Sequence, residues 1–314
     1  MVSEAAGWRL LPLGWAVAPV PLVAPSQSTA RRLAALGCAA AHRPRYPAAA
    51  PRVAVGHRIG RGVTMAAAKE SAPATAAGST VEYPRIDLYS WGTPNGKKVT
   101  IALELLGIPY THHSLPLSRV KEPWFVAICP NGRIPAITVN APGPQEPPPK
   151  PVDDADAAAT AAGRGAPELA VMESGAILIY LSDLAGGRLL GEGDPHKKVA
   201  ILQWLMWQMG GVGPMFGQAN HFDRLPLTTV GRKYGVTRYT AEGERLLGVL
   251  DAALASRDWV ATDALSIADV SIYPWVASWM AKGRSAPDAH PHVRAWAARM
   301  EALEGVKRGM AVYA

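Results

Sequence analysis

Two short strings in this chain combine donors and charge in a way that could do chemistry. Thr93-Pro94-Asn95 places a hydroxyl and a primary amide at the expected start of a helix. Both groups can donate hydrogen bonds, and a helix N-terminus adds positive potential, so together they can stabilise a thiolate. Glu173-Ser174 stands at a second strand-to-helix junction. Ser174 is expected at the N-cap there, with free backbone N–H groups behind it as an anion site. Glu173 can accept an ammonium. A thiol attacks as its thiolate, yet a free thiol with a pKa of about 8.5 is mostly protonated at neutral pH. Stabilising that anion is therefore the chemistry these residues suit. The loop itself holds no cysteine.

The remaining reactive residues narrow the choice. The chain has two cysteines, Cys38 and Cys129, too few for a disulfide framework or a cysteine-based zinc site. Cys129 follows the apolar run Phe125-Val126-Ala127-Ile128 and reads as a buried core thiol. His221 has no metal-ligating partner at helical spacing, so no metal is expected. The formal net charge of +7 invites a nucleic-acid reading, but its distribution removes it. Residues 1–80 hold eight Arg and one Lys against Glu4 and Glu70, and residues 81–314 hold 23 basic and 23 acidic side chains. A neutral body has no reason to seek a phosphate backbone. No apolar run of about 18 residues is present to span a membrane.

The elements that must position these groups follow from pattern. Residues 1–80 are rich in Ala, Arg, Ser and Pro, poor in acids and without a sustained period, the composition of a transit peptide. A plastid address is expected first and a mitochondrial one second, or a cytosolic protein if translation starts at Met65. From Pro84 the character changes. Strands are expected at 86–90, 109–117, 134–139 and 169–172. A helix is expected at 97–106, with Val99, Ala102, Leu103 and Leu106 on one face, and further helices at 123–128 and 174–184. Residues 140–167 are rich in Pro, Ala and Asp and read as an exposed insertion in a hairpin. After Asp194 only helical patterns remain, at 195–209, 231–255, 267–280 and 292–303. The class is α/β plus all-α: a βαβ–ββα domain over 84–187, then a helical domain over 194–308.

Against that frame several motifs resemble a known family. Ile134-Pro135, after Pro130-Asn131-Gly132-Arg133, resembles the cis-proline corner of thioredoxin-like domains, and Glu173-Ser174-Gly175-Ala176-Ile177 follows about 40 residues later. Ser266-Ile267-Ala268-Asp269 is a capping box that resembles the folding box of glutathione transferases; it starts a buried helix and is assigned no chemistry. The strings Ile86-Asp87-Leu88-Tyr89, Thr93-Pro94-Asn95-Gly96 and 202–218 are similar to the Nu-class, Ure2p-like branch of that family. The resemblance covers about residues 85–305, apart from the insertion.

The resemblance implies a thioredoxin-like domain followed by the all-helical C-terminal domain of a glutathione transferase. It implies glutathione as co-substrate, bound by Arg133, Ile134, Pro135, Glu173, Ser174 and Arg238, with Thr93 and Asn95 activating its thiol. Gln218, Asn220 and His221, beside the Gly210, Gly211 and Gly213 bend, line a second pocket. Trp207 there reads as core. The implied activity is glutathione-dependent disulfide-bond reduction by a homodimer. Conjugation of glutathione to small electrophiles, or a non-catalytic glutathione-binding regulator, stands as the alternative.

Overall fold

The computed structural model describes residues 82–141, 167–286 and 288–313, which fall within a unit spanning Thr75–Ala314. The expected leader at 1–80 and the insertion, over residues 142–166, lie outside the described residues.

A four-stranded sheet opens the unit. Strand β1 (Arg85–Ser90) is central, with β2 (Thr111–Ser114) parallel on one side and β3 (Ala136–Asn140) antiparallel on the other; β4 (Leu169–Met172) pairs antiparallel with β3 at the edge. Three helices belong to it: α1 (Pro94–Leu106), α2 (Pro123–Ile128) and α3 (Ser174–Leu184). This is the thioredoxin-like βαβ–ββα order. The β3–β4 pairing makes the expected insertion the link of a hairpin.

Helix α1 begins three residues before its apolar stripe predicts. Pro94 takes the first helical position, where its fixed φ is preorganised and its missing N–H costs nothing. Thr93 is the N-cap, its hydroxyl accepting from the Gly96 N–H at 3.2 Å. Gly96 is required by space: a Cβ there would press into the Trp91 carbonyl oxygen and approach the Tyr313 hydroxyl. Strand β2 is shorter than the strand expected over 109–117, and β3 starts at Ala136, just after the cis Ile134–Pro135 bond.

The helical part comprises α4 (Pro195–Trp207), a π-wound turn (Gln208–Val212), α5 (Gly213–Arg224), α6 (Arg232–Leu254), α7 (Ile267–Ala281), α8 (Pro291–Ala302) and α9 (Glu304–Ala311). The glycines at 210, 211 and 213 make no break, contrary to the expected bend; the chain stays helical through a wider turn into α5. Such π-turns commonly mark functional segments. Neither α5 nor α9 was foreseen. Helix α9 returns to the first domain: Gly305 and Gly309 let it approach Leu105 and Ile101 of α1, and the Gly309 carbonyl accepts from Thr100 Oγ1 at 2.7 Å.

The capping box forms as expected. Asp269 is buried, accepting from the Ser266 N–H and hydroxyl at 3.0 and 2.8 Å and from the Val260 N–H and Trp296 Nε1 at 2.9 Å each. It ties the start of α7 to the loop before it and to α8. Residues of both parts, from Ile86 and Leu103 to Trp279 and Met300, share one buried apolar cluster. Among the described residues no helix is long and apolar enough to cross a membrane.

Candidate active site

Helix α1, the approach to α3, the π-wound turn and α5 enclose a cavity of about 570 Å³. Asn95 and Lys98 line it from α1, Arg133 from the loop before β3, and Glu173 from the junction with α3. Gln208 and Met209 face it from the π-wound turn, Gln218 and His221 from α5, and Trp275 from α7. Sequence reasoning had named Asn95, Arg133, Glu173, Gln218 and His221, and the fold brings these five to one space.

Asn95 is held by a residue 180 positions away. The Trp275 indole N–H donates to Asn95 Oδ1 at 3.0 Å. An indole nitrogen can only donate, so the amide oxygen must be the atom facing it, leaving both amide N–H groups for the cavity. Thr93, two residues earlier, is engaged as the helix cap and is not among the lining residues.

At the second junction the expectation for Ser174 is corrected. Ser174 is the first residue of α3, and Glu173 holds the N-cap at φ +70°, a conformation that side chains adopt rarely and at a cost of about 1–3 kcal/mol. The Ser174 hydroxyl does not cap the helix because it is drawn inward. It accepts from Lys98 Nζ at 3.2 Å and points its own proton at Met209 Sδ, 3.6 Å away.

Lys98 was missed. It is completely buried, and its ammonium also donates to Gln208 Oε1 at 2.6 Å and touches Met209 Sδ at 3.5 Å. Burial pulls its pKa down to about 7, opposed by the charge of Glu173. The signal was available: Lys98 lies three residues after Asn95 and four before Ala102, on the inward side of α1. Its partner Gln208 is also fully buried, and its Nε2 has no hydrogen-bond partner among the described residues.

Ile134 and Pro135 form the corner beside Arg133, with Pro135 buried and Ile134 packed against the small core around Phe125 and Cys129. Cys129 is a core thiol, as read: it is buried and donates to the Arg133 carbonyl at 3.2 Å. Two named residues stand elsewhere. Arg238, on α6, lines a separate cavity of about 650 Å³ with Tyr234, Tyr239 and Arg245. Asn220 is turned off the face that Gly217, Gln218 and His221 share, and its Oδ1 accepts from Lys282 Nζ at 2.6 Å and Arg284 Nη2 at 3.2 Å. Among the described residues no group of three His, Cys, Asp or Glu could hold a metal ion.

Two family descriptions match the chain: Glutathione S-transferase, N-terminal domain, over residues 93–184, and Glutathione S-transferase, C-terminal domain, over residues 238–304. The disulfide-bond oxidoreductase YfcG of Escherichia coli is 36% identical over 217 residues, which cover 68% of this chain and 89% of that protein. The chain belongs to the glutathione transferase family. Two solved structures place this transferase among ligand-bound relatives. A family member from Pseudomonas fluorescens, with two glutathione bound, is 36% identical at a TM-score of 0.59, covering 74% of this chain and 95% of its own. A glutathione transferase from Pseudomonas putida, with one glutathione disulfide bound per subunit, is 35% identical at a TM-score of 0.60, covering 74% and 93%. The N-terminal family span contains Thr93, Asn95, Lys98, Arg133, Glu173 and Ser174 of this transferase; Gln208, Gln218 and His221 fall between the two spans.

Proposed function

We propose that this glutathione transferase is a glutathione-dependent disulfide-bond oxidoreductase whose reacting thiols belong to the glutathione it binds. One observation carries the reading: the cavity presents an oriented amide donor, Asn95, at the N-terminus of α1, while Cys129 is buried with its thiol on the Arg133 carbonyl. The thiol and its activator therefore come from different molecules.

The residues fit the tripeptide by chemistry. Glu173 suits the γ-glutamyl ammonium, and Ser174 with the first N–H groups of α3 suits its carboxylate. Asn95 donates to the sulfur, and the α1 N-terminus adds its dipole, so both favour the thiolate over the thiol. Bound thiolate supplies the exchange: it attacks one sulfur of a disulfide R–S–S–R, forming GS–SR and releasing RS⁻, which takes up a proton. A second glutathione thiolate attacks the glutathione sulfur of GS–SR, giving glutathione disulfide and a second thiol. Gln218 and His221 on the far wall offer polar partners for that second molecule. The relatives' bound glutathione and glutathione disulfide support both states of the cycle.

The test is turnover by the purified protein with glutathione and 2-hydroxyethyl disulfide, set beside chlorodinitrobenzene. Efficient disulfide reduction with weak conjugation is expected. Conjugation as the main activity would make the protein an ordinary transferase, and glutathione binding without either activity would make it a binding protein.

A further inference from the structure

We propose that Lys98 is the positioning residue for the carboxylate end of this site: its buried ammonium turns the Ser174 hydroxyl and the Gln208 amide into donors for an α-amino carboxylate. The inference rests on the glutathione reading above and names which group of the ligand the lysine serves.

A protonated lysine has three donors and no acceptor. Where its Nζ meets Ser174 Oγ at 3.2 Å, the serine oxygen must accept, and the serine proton is left to point elsewhere. It points at Met209 Sδ, a weak acceptor that a carboxylate oxygen would outcompete. The same logic fixes Gln208. Its Oε1 accepts from Lys98 at 2.6 Å, so its Nε2 is turned away from the lysine, and that nitrogen is buried and unpaired among the described residues, on a side chain that lines the cavity. A buried N–H without a partner is unfavourable, and a ligand oxygen would relieve it.

The environment makes this arrangement titratable. Lys98 sits near pKa 7, lowered by burial and held up by Glu173. Glu173 is the charged group from the α3 side; Gln208 and Met209 face it from the π-wound turn. Trp275 of α7 brings no charge, and Arg133 and His221 line the same cavity from the loop before β3 and from α5. A bound carboxylate favours the ammonium and raises its pKa. Binding therefore takes up a proton when the solution pH is at or above about 7, and affinity falls as the pH rises through that region. Above it the neutral amine can accept the Ser174 proton, and the donor is lost.

The experiment is titration calorimetry with S-methylglutathione, which has no thiol to titrate, at pH 7.5 in two buffers of different ionisation enthalpy. The wild-type protein is expected to take up roughly half a proton or more per ligand. Lys98→Met should weaken binding about ten- to a hundredfold, the scale of hydrogen bonds to a charged group, and abolish the uptake. A lysine that merely packs would leave proton uptake unmoved. Binding without uptake in the wild type, which needs no variant to fold, overturns the assignment to Lys98 alone, as does unchanged affinity in Lys98→Met. Absence of any binding by the wild type overturns the glutathione reading itself.

Discussion

The hydrogen bond from Trp275 to Asn95 permits a test in which one residue acts only through another. Asn95→Ala removes a preorganised donor from the sulfur and should lower kcat/KM for disulfide reduction about ten- to a hundredfold, or about 1.4–2.7 kcal/mol. The pKa of the bound glutathione thiol, read from thiolate absorbance, should rise by about 1–2 units with it. Asn95→Asp keeps an oxygen for the Trp275 N–H but puts a negative charge beside the sulfur, so its loss should exceed that of Asn95→Ala. Trp275→Phe keeps most of the ring and removes the indole N–H at 3.0 Å. The freed amide can then turn its oxygen toward the thiolate, and a loss of about two- to tenfold follows from one neutral hydrogen bond. The decisive measurement is the double variant. If Trp275 works through Asn95, adding Trp275→Phe to Asn95→Ala costs nothing further, a strong departure from additivity. Additive losses would show that Trp275 acts by packing alone. An unchanged thiol pKa in Asn95→Ala would show that the helix terminus, not the amide, carries the activation.

Three further outcomes test the frame around the site. His112 accepts burial as a neutral ring between Ser90, 3.1 Å away, and the edge of Tyr313, and its pKa is lowered to about 4. A depressed folded value means the unfolded chain binds the proton first, so stability present above about pH 6.5 is lost as pH falls toward 4, by up to about 3 kcal/mol; His112→Gln should flatten that part of the denaturation profile, and an unaltered slope would refute the assignment. Gly213→Ala places a Cβ 2.8 Å from Gln208 Nε2, whereas Gly217→Ala meets Trp275 at an ordinary 3.6 Å; the first should weaken S-methylglutathione binding and cost about 1–3 kcal/mol, and the second should do neither. Cys129→Ser should retain disulfide turnover and lower only the melting temperature, and loss of turnover would put a protein thiol in the reaction.

What the sequence made legible was chemistry that is local to an element boundary. Asn95 could be placed because Pro94 marks the helix start beside it, and Glu173 because a short apolar strand ends at it; Thr93, read as a second donor, stands as the cap of α1 outside the cavity lining. The βαβ–ββα order followed from the same punctuation, since period-two and helical stretches alternate between Gly and Pro turns. Ser174 was displaced by one position because Glu173 takes the cap at φ +70°, which no propensity favours and which only the packed junction holds. The π-wound turn was read as a bend because glycines usually break helices; here Gly213 is small to leave room for the Gln208 amide. Helix α9 has only eight residues, too short for a helical period to stand out, and the approach of Gly305 and Gly309 to α1 lets its buried face dock. Lys98 shows the limit most clearly. A lysine is rarely buried unless paired, and its partner Gln208 is 110 residues away, as Trp275 is 180 from Asn95. Each half of those pairs looks ordinary alone: an exposed lysine, a core tryptophan, a polar residue near a turn. Two of these contacts, Lys98 to Gln208 and Trp275 to Asn95, form only where the helical part is folded over the thioredoxin-like part. Substitutions in α7 and the π-wound turn should therefore alter the chemistry of α1, though by less than removal of the α1 groups themselves.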